Sequence, residues 1–467
     1  MRFIASRYSL AVRVAAAGAV LCLPVACDSA KNTLLEAPIP TVIDPGSVQN
    51  ADGADALRVG AFSRVRTITA GNVDGDDSPW MFAGLLTDEW KSSDTFSQRN
   101  ETDQRLVQTN NSNLTPVLRD LYRTRTSARE ALAALNEFKP EPTANIAQMY
   151  FTMAMGELYL AEWFCNGIPL GDATGGVLTY GDTPHTNAEV YAFAKAHLDT
   201  ALTNAPAGDG KSFADTVRFS TSIAMGRVLI EQGKWAEAAA AVVNVPTAFQ
   251  LRATFSLTGG NNQIWSLNNS AKRWTVGDSF DLSGRIKNAI PFASANDPRV
   301  PVKGSTTGTS SAGRGFDGST NLVTQSNFGR TDYTPIVSGI DARLIEAEAK
   351  LNTPDISGMM AILNDLRTHA QNLGTVNTPV MSTLATPGSQ NAAIDLFFRE
   401  KAFWTFARGQ RLGDLRRLIR IYGRTQDNVF PFGTFFKGGE YGPDVNFPVT
   451  VDEQNNPAFT ACLDRKA

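Results

Sequence analysis

Three aspartates, Asp74, Asp76 and Asp77, crowd the short stretch Val-Asp-Gly-Asp-Asp-Ser-Pro. Carboxylates at alternating positions are hard oxygen ligands of the kind Ca²⁺ takes. The twelve-residue calcium loop with its closing Glu is absent, so the stretch reads better as an Asp/Gly-rich surface turn. A second cluster, Arg399, Glu400, Arg408, Arg411, Asp414, Arg416 and Arg417, has the composition of an anion clamp or an acid–base site. Opposite charges on adjoining helices more often pair with one another, and this set reads as a structural ion-pair network. His185, His197 and His369 are scattered and form no Ser-His-Asp or Cys-His set. No CxxC, HExxH or phosphate-cradling Gly-rich loop occurs. The sequence therefore assigns no catalytic residue, no metal site and no cofactor.

Composition sets the outer bounds. The chain has 467 residues, 42% hydrophobic and 19% charged, with 43 Lys+Arg against 46 Asp+Glu. That is chain enough for a sizeable core. Nucleic-acid binders carry a basic excess, and a net charge of -3 provides none.

The N-terminus reads as an export signal over residues 1–26. Arg2, Arg7 and Arg13 precede an uncharged run from Val14 to Ala26, too short to span a bilayer. The run ends Leu23-Pro24-Val25-Ala26-Cys27, and a small residue before a Cys resembles a bacterial lipobox. Pro24 departs from that pattern, where an aliphatic residue is usual. Cys27 is thus expected to be acylated, the alternative being plain signal cleavage beside a chance Cys; two acyl chains would anchor a domain stably. Residues 27–50, rich in Pro, Ser, Asn and Asp, read as a tether to one domain over 51–467. Cys165 and Cys462 then remain, as one disulfide or as two free thiols. A bond would close a loop of 297 positions, stabilising by roughly 5 kcal/mol in the chain-entropy view.

The elements that would carry these residues are mostly helices. Residues 115–138 repeat apolar positions at helical spacing, and 144–164 are apolar almost all round, as in a buried helix. Thr186 and Glu189 form a capping box ahead of Val190, Phe193, Ala194 and Leu198. Ile340, Leu344, Ala347 and Leu351 mark a later helix, and 391–420 reads as one long helix or two short ones. Residues 154–160 (AMGELYL) resemble 224–230 (AMGRVLI), a spacing near twice the tetratricopeptide period. Helical signals fade over about 245–335, where 303–325 is dense in Gly, Ser and Thr, and again over 423–461. The expected fold is mainly α: degenerate tetratricopeptide-like helical pairs interrupted by long irregular loops.

Against that background, Phe398-Arg399-Glu400-Lys401-Ala402-Phe403-Trp404, leading into Gly409-Gln410-Arg411-Leu412-Gly413-Asp414-Leu415-Arg416-Arg417, resembles the C-terminal signature of the SusD/RagB outer-membrane lipoproteins. Asn446-Phe447-Pro448-Val449, with Glu453 and Asn456-Pro457, is similar to that family's closing segment. Asp341 to Ala349 and Tyr159 to Asp172 match two of its helices in order. The resemblance implies a SusD-like helical scaffold, lipid-anchored at the outer membrane and facing the cell exterior. It also implies a SusC-like TonB-dependent barrel transporter as partner, and a nutrient glycan as ligand that is captured and passed on without catalysis.

Sugar rings present apolar C–H faces, which exposed aromatic side chains can cover. Trp163, Trp235 and Trp404 fall in helical patterns and read as core. Trp80, Trp90, Trp265 and Trp274 fall in polar, irregular stretches and are the candidate ligand platforms. A peptide or another polymer as ligand, a glycoside hydrolase with two carboxylates across a cleft, and a scaffold that binds only proteins are the competing readings.

Overall fold

Helices begin where the sequence can cap them. In the capping box before residue 187, Thr186 Oγ1 accepts from Glu189 N–H at 3.3 Å and Glu189 Oε2 accepts from Thr186 N–H at 2.7 Å. Ser212 with Asp215 and Ser338 with Asp341 do the same with an acid one methylene shorter, while Asn50 caps the first helix. The computed structural model describes residues 49–467 except 72–76, 174–176, 182, 209 and 375. Cys27, the export signal, most of the tether and Asp74 and Asp76 lie outside the described residues. Residues 50–467 form one compact unit.

Thirteen α-helices occur among the described residues. In chain order they are α1 (Ala51–Thr67), α2 (Pro79–Leu85), α3 (Ser97–Asp103), α4 (Leu114–Phe138), α5 (Thr143–Trp163), α6 (Asn187–Asn204), α7 (Phe213–Glu231), α8 (Trp235–Val242), the single turn α9 (Gln263–Trp265), α10 (Gly339–Asn352), α11 (Ile356–Thr368), α12 (Gln390–Trp404) and α13 (Arg411–Arg420). Helices α4 and α5, α7 and α8, and α10 and α11 pack as sequential pairs, with α5 also against α6 and α8 against α10. This is the expected mainly helical, tetratricopeptide-like scaffold. Nearly every side chain of α5 is buried, as its all-round apolar sequence requires. The 391–420 segment forms two helices. Between them Ala407 and Gly409 take φ of 61° and 66°, and the ring of Trp80 lies where a Cβ on Gly409 would stand, 2.1 Å away.

Among the described residues the loop excursions carry strands two to five residues long in four antiparallel pairs. These are β1 (Trp90–Ser92) with β3 (Trp274–Val276), β2 (Gln250–Ala253) with β8 (Thr334–Ser338), β4 (Phe280–Asp281) with β5 (Gly284–Arg285), and β6 (Val302–Gly304) with β7 (Val323–Gln325). Asn268 fastens this region from inside. Its Nδ2 donates to the carbonyls of Trp274 and Val323 at 2.7 and 3.0 Å, and its Oδ1 accepts from Gln325 N–H at 2.8 Å. A buried backbone polar group needs such a partner, so one buried Asn replaces a run of sheet ladder.

The Arg-rich C-terminal cluster is structural. Arg417 is paired with Glu348, Glu231 and Asp414, Arg411 with Asp88, Arg408 with Asp341, and Glu400 with Arg299 and Arg367. Arg416 donates instead to the carbonyls of Ala161, Glu162 and Phe164, closing the C-terminal end of α5. Beside it, Cys165 and Cys462 are joined in a disulfide that ties the last residues of the chain to α5.

Candidate functional site

Of the four tryptophans expected as ligand platforms, Trp80, Trp90 and Trp274 are fully buried. Trp80 Nε1 donates to the Tyr159 hydroxyl at 3.0 Å. Trp90 packs on Phe406 with centroids 5.3 Å apart, and Trp274 meets Phe82 edge-on at 6.4 Å. A ring with no exposed face cannot stack on a ligand, so in this structure these three are core. Trp265 alone is half-exposed, on the single turn α9 with the Arg330 guanidinium 5.9 Å from its ring. It stands apart from the cavity described next. Asp77, the one described member of the aspartate stretch, is buried and accepts from Arg99 Nε and Asn113 Nδ2, both at 3.0 Å. Its carboxylate is spent on structure.

A cavity of about 490 Å³ opens where the strand-bearing loops meet. Antiparallel pairing sets Lys91 of β1 opposite Thr275 of β3, and both line it. Asn100 comes from α3, and Asp281 and Leu282 from the β4–β5 turn. Asp317 to Asn321 precede β7, and Phe436 and Lys437 sit on the C-terminal loop that Thr434 and Glu440 close by a bridge. The Asp317 loop is bound to the end of β1 through Ser93, whose carbonyl accepts from Asp317 N–H at 3.0 Å.

The aromatic side chain that lines this cavity is Phe436, and Phe96 and Phe316 stand on the neighbouring loops of Asp94 and Asp317. Phe436 is half-buried in the wall, with Lys91 Nζ 3.8 Å from its centroid. Phe96 and Phe316 are 46% and 51% exposed. The Arg273 guanidinium lies over both, 4.8 and 3.9 Å from their centroids. Arg273 Nη1 in turn donates to Asp94 Oδ1 at 2.7 Å, so a buried carboxylate holds the cation that holds the rings. Leu282 adds a largely exposed apolar side chain.

The charges at the cavity pair among themselves. Lys91 is paired with Asp281, and Arg99 with Asp94. Lys437 reaches Asp317 at 2.8 Å. Burial opposes the ionisation of Asp317, but hydrogen bonds from Lys437 and from the Thr320 hydroxyl and N–H outweigh it and bring its pKa to about 2. Burial likewise works against Asp281 and Asp94; Lys91 holds the first below the usual carboxylate range, and Arg273 with Arg99 hold the second there. Burial pushes the Lys91 ammonium down, with Asp281 opposing.

Nothing in the local sequence of Phe96, Phe316 or Phe436 separated them from core phenylalanines. Phe316 does stand beside Asp317 and Phe436 beside Lys437, each next to a charged residue of the cavity, and Phe96 is two positions from Asp94.

No family model and no curated protein matches the chain. Solved structures do match its fold. A SusD superfamily protein from Bacteroides vulgatus is 16% identical with a TM-score of 0.61, over 88% of this chain and 98% of its own. A SusD-like carbohydrate binding protein from Bacteroides fragilis is 13% identical, TM-score 0.62, over 88% and 99%. A laminarin-binding SusD-like protein is 15% identical, TM-score 0.58, over 89% and 99%. At these identities the likeness is one of fold, and the chain has the SusD-like fold over nearly all its described length.

Proposed function

We propose that this protein is a non-catalytic glycan-capture lipoprotein, and that the cavity walled by Phe436 and flanked by Phe96 and Phe316 is where the glycan sits. The observation that carries the reading is the cavity wall itself: the Phe436 ring, held against Lys91, among hydroxyl and amide side chains from Asn100, Thr306, Ser319 and Asn321. Flat apolar rings with neutral polar neighbours suit a sugar's C–H faces and hydroxyls. Two of the fold relatives are described as binding carbohydrate and laminarin, which supports a glycan as the ligand class.

The carboxylates argue for capture over hydrolysis. A glycosidase needs one carboxyl with a raised pKa to protonate the leaving oxygen. Asp94, Asp281 and Asp317, which line this cavity, are all held low by their cations. Delivery to a SusC-like TonB-dependent barrel, and anchoring through Cys27 at the outer face of the outer membrane, complete the proposal. They rest on the resemblance of the sequence and its SusD-like fold.

Affinity electrophoresis or calorimetry of the purified domain against a polysaccharide panel tests the site. Phe436→Ala and Phe316→Ala are each expected to weaken binding about tenfold, or about 1.4 kcal/mol, while Trp265→Ala leaves it unchanged. Full affinity in both phenylalanine variants would remove this cavity from the proposal. Release of reducing ends by the wild-type protein would replace capture with hydrolysis.

A further inference from the structure

The donors and acceptors at the cavity go further than its outline. An ammonium has three N–H groups. Lys437 Nζ has three acceptors: the Asp94 carbonyl at 2.7 Å, Asn100 Oδ1 at 2.8 Å and Asp317 Oδ2 at 2.8 Å. Lys91 is shared between Asp281 and the Phe436 ring. Arg273 gives Asp94 a hydrogen bond and lies over two rings, and Arg99 is paired with Asp77 and Asp94.

The carboxylates are equally engaged. Asp317 accepts from Ser319 N–H, Thr320 N–H and Thr320 Oγ1 at 2.9, 2.8 and 2.6 Å besides Lys437. Asp281 accepts from Ser283 N–H at 2.8 Å besides Lys91. Each of the five charged side chains that line the cavity, Lys91, Asp94, Asp281, Asp317 and Lys437, is paired within the protein. A carboxylate or sulfate on a sugar would have to strip a cation from its partners and leave an aspartate unpaired, which costs more than the new contact returns.

We infer that this cavity takes uncharged glycans and rejects uronate- or sulfate-bearing ones, and that Lys437 is a positioning residue that fixes Phe436 by tying its loop to those of Asp94, Asn100 and Asp317. The inference rests on the glycan-capture reading and narrows it to a substrate class. Selection comes from neutralisation inside the wall, not from a repelling charge at the mouth.

Matched polymer pairs on the mature full chain test it: hydroxyethylcellulose with carboxymethylcellulose, dextran with dextran sulfate, and fully methyl-esterified polygalacturonate with polygalacturonate, each at low and high salt. Binding is expected only among the uncharged members, at least about tenfold tighter than to the charged counterpart and insensitive to salt. Lys437→Met should weaken the uncharged polymer about tenfold. The double variant with Phe436→Ala should be no weaker than Phe436→Ala alone, since Lys437 acts through that ring.

A charged member bound as tightly as its neutral partner, with affinity lost in salt, would overturn the selectivity. Lys437→Met that spares neutral binding, or that adds to Phe436→Ala, would overturn the positioning role. If Phe436→Ala leaves neutral binding intact, the site itself is wrong. If no polymer of either kind binds, glycan capture fails and this inference with it.

Discussion

Glu89 shows what a single misplaced charge does to this fold. It follows Asp88, which is committed to Arg411 at 2.7 and 2.9 Å. Glu89 is fully buried, one carboxyl oxygen accepting from Ala407 N–H at 3.2 Å and the other without a partner among the described residues. Burial, reinforced by the Asp88 charge, raises its pKa from 4.5 to about 8. The unfolded chain releases this proton near pH 4.5 while the folded chain keeps it. Between those values the native state therefore binds more protons, and stability falls as pH rises, by up to roughly 1.4 kcal/mol per unit. Glu89→Gln keeps the shape and removes the titration. Its melting temperature should match wild type near pH 4.5 and exceed it near pH 8; thermal curves that stay parallel across that range would refute the assignment. The same scale explains the tryptophans. Asn and Gln around Trp265 and Trp274 suggested a wet surface, whereas Asn262 and Asn268 are buried and satisfy backbone groups. A polar neighbour in sequence does not report whether its partner is water or carbonyl, so core tryptophans and rim phenylalanines exchanged places.

Elements were more legible than residues. Apolar periodicity and the Thr186 box marked α4, α5, α6 and α10 because both signals are local. Strands of two to five residues were not marked, since Trp90 pairs with Val276 and Gln250 with Ser338 across most of the excursion. Their register is set by distant chain. The faint repeat has a physical cause that the structure supplies. A Cβ on Gly156 of α5 would stand 3.1 Å from the Leu121 carbonyl and 3.3 Å from Arg125 Cγ of α4. A Cβ on Gly226 of α7 would stand 2.7 Å from Val242 Cγ1 of α8 and 3.0 Å from Ile345 Cδ1 of α10. The repeated glycine is where each pair closes. Gly226→Ala should therefore destabilise by about 1–3 kcal/mol through overpacking. Gly60→Ala, in α1 with nothing within 4 Å of the new methyl, should stabilise by about 0.5–1 kcal/mol through helix propensity. Denaturant midpoints decide, and equal shifts in the two variants would mean that close approach is not the reason for Gly226.

At the scale of the molecule, the proposed binding and the proposed anchoring fall to different stretches of chain. The cavity is built entirely within residues 91–437, and the disulfide fastens the end of the chain back onto α5. Among the described residues no helix is long and apolar enough to cross a membrane. Attachment to a membrane, if this domain is lipid-anchored as proposed, then depends on Cys27 and its acyl chains. One chain gives marginal binding and more than one gives stable anchoring. Cys27→Ser in cells should accordingly move the protein from the membrane fraction to the soluble one and abolish palmitate labelling. The released protein should keep wild-type affinity for its glycan, because the described lining residues of the cavity fall between Lys91 and Lys437. Retention in the membrane fraction, with labelling unchanged, would place the anchor elsewhere. Release accompanied by lost affinity would mean that the N-terminal stretch takes part in binding, and that capture and anchoring are one device instead of two.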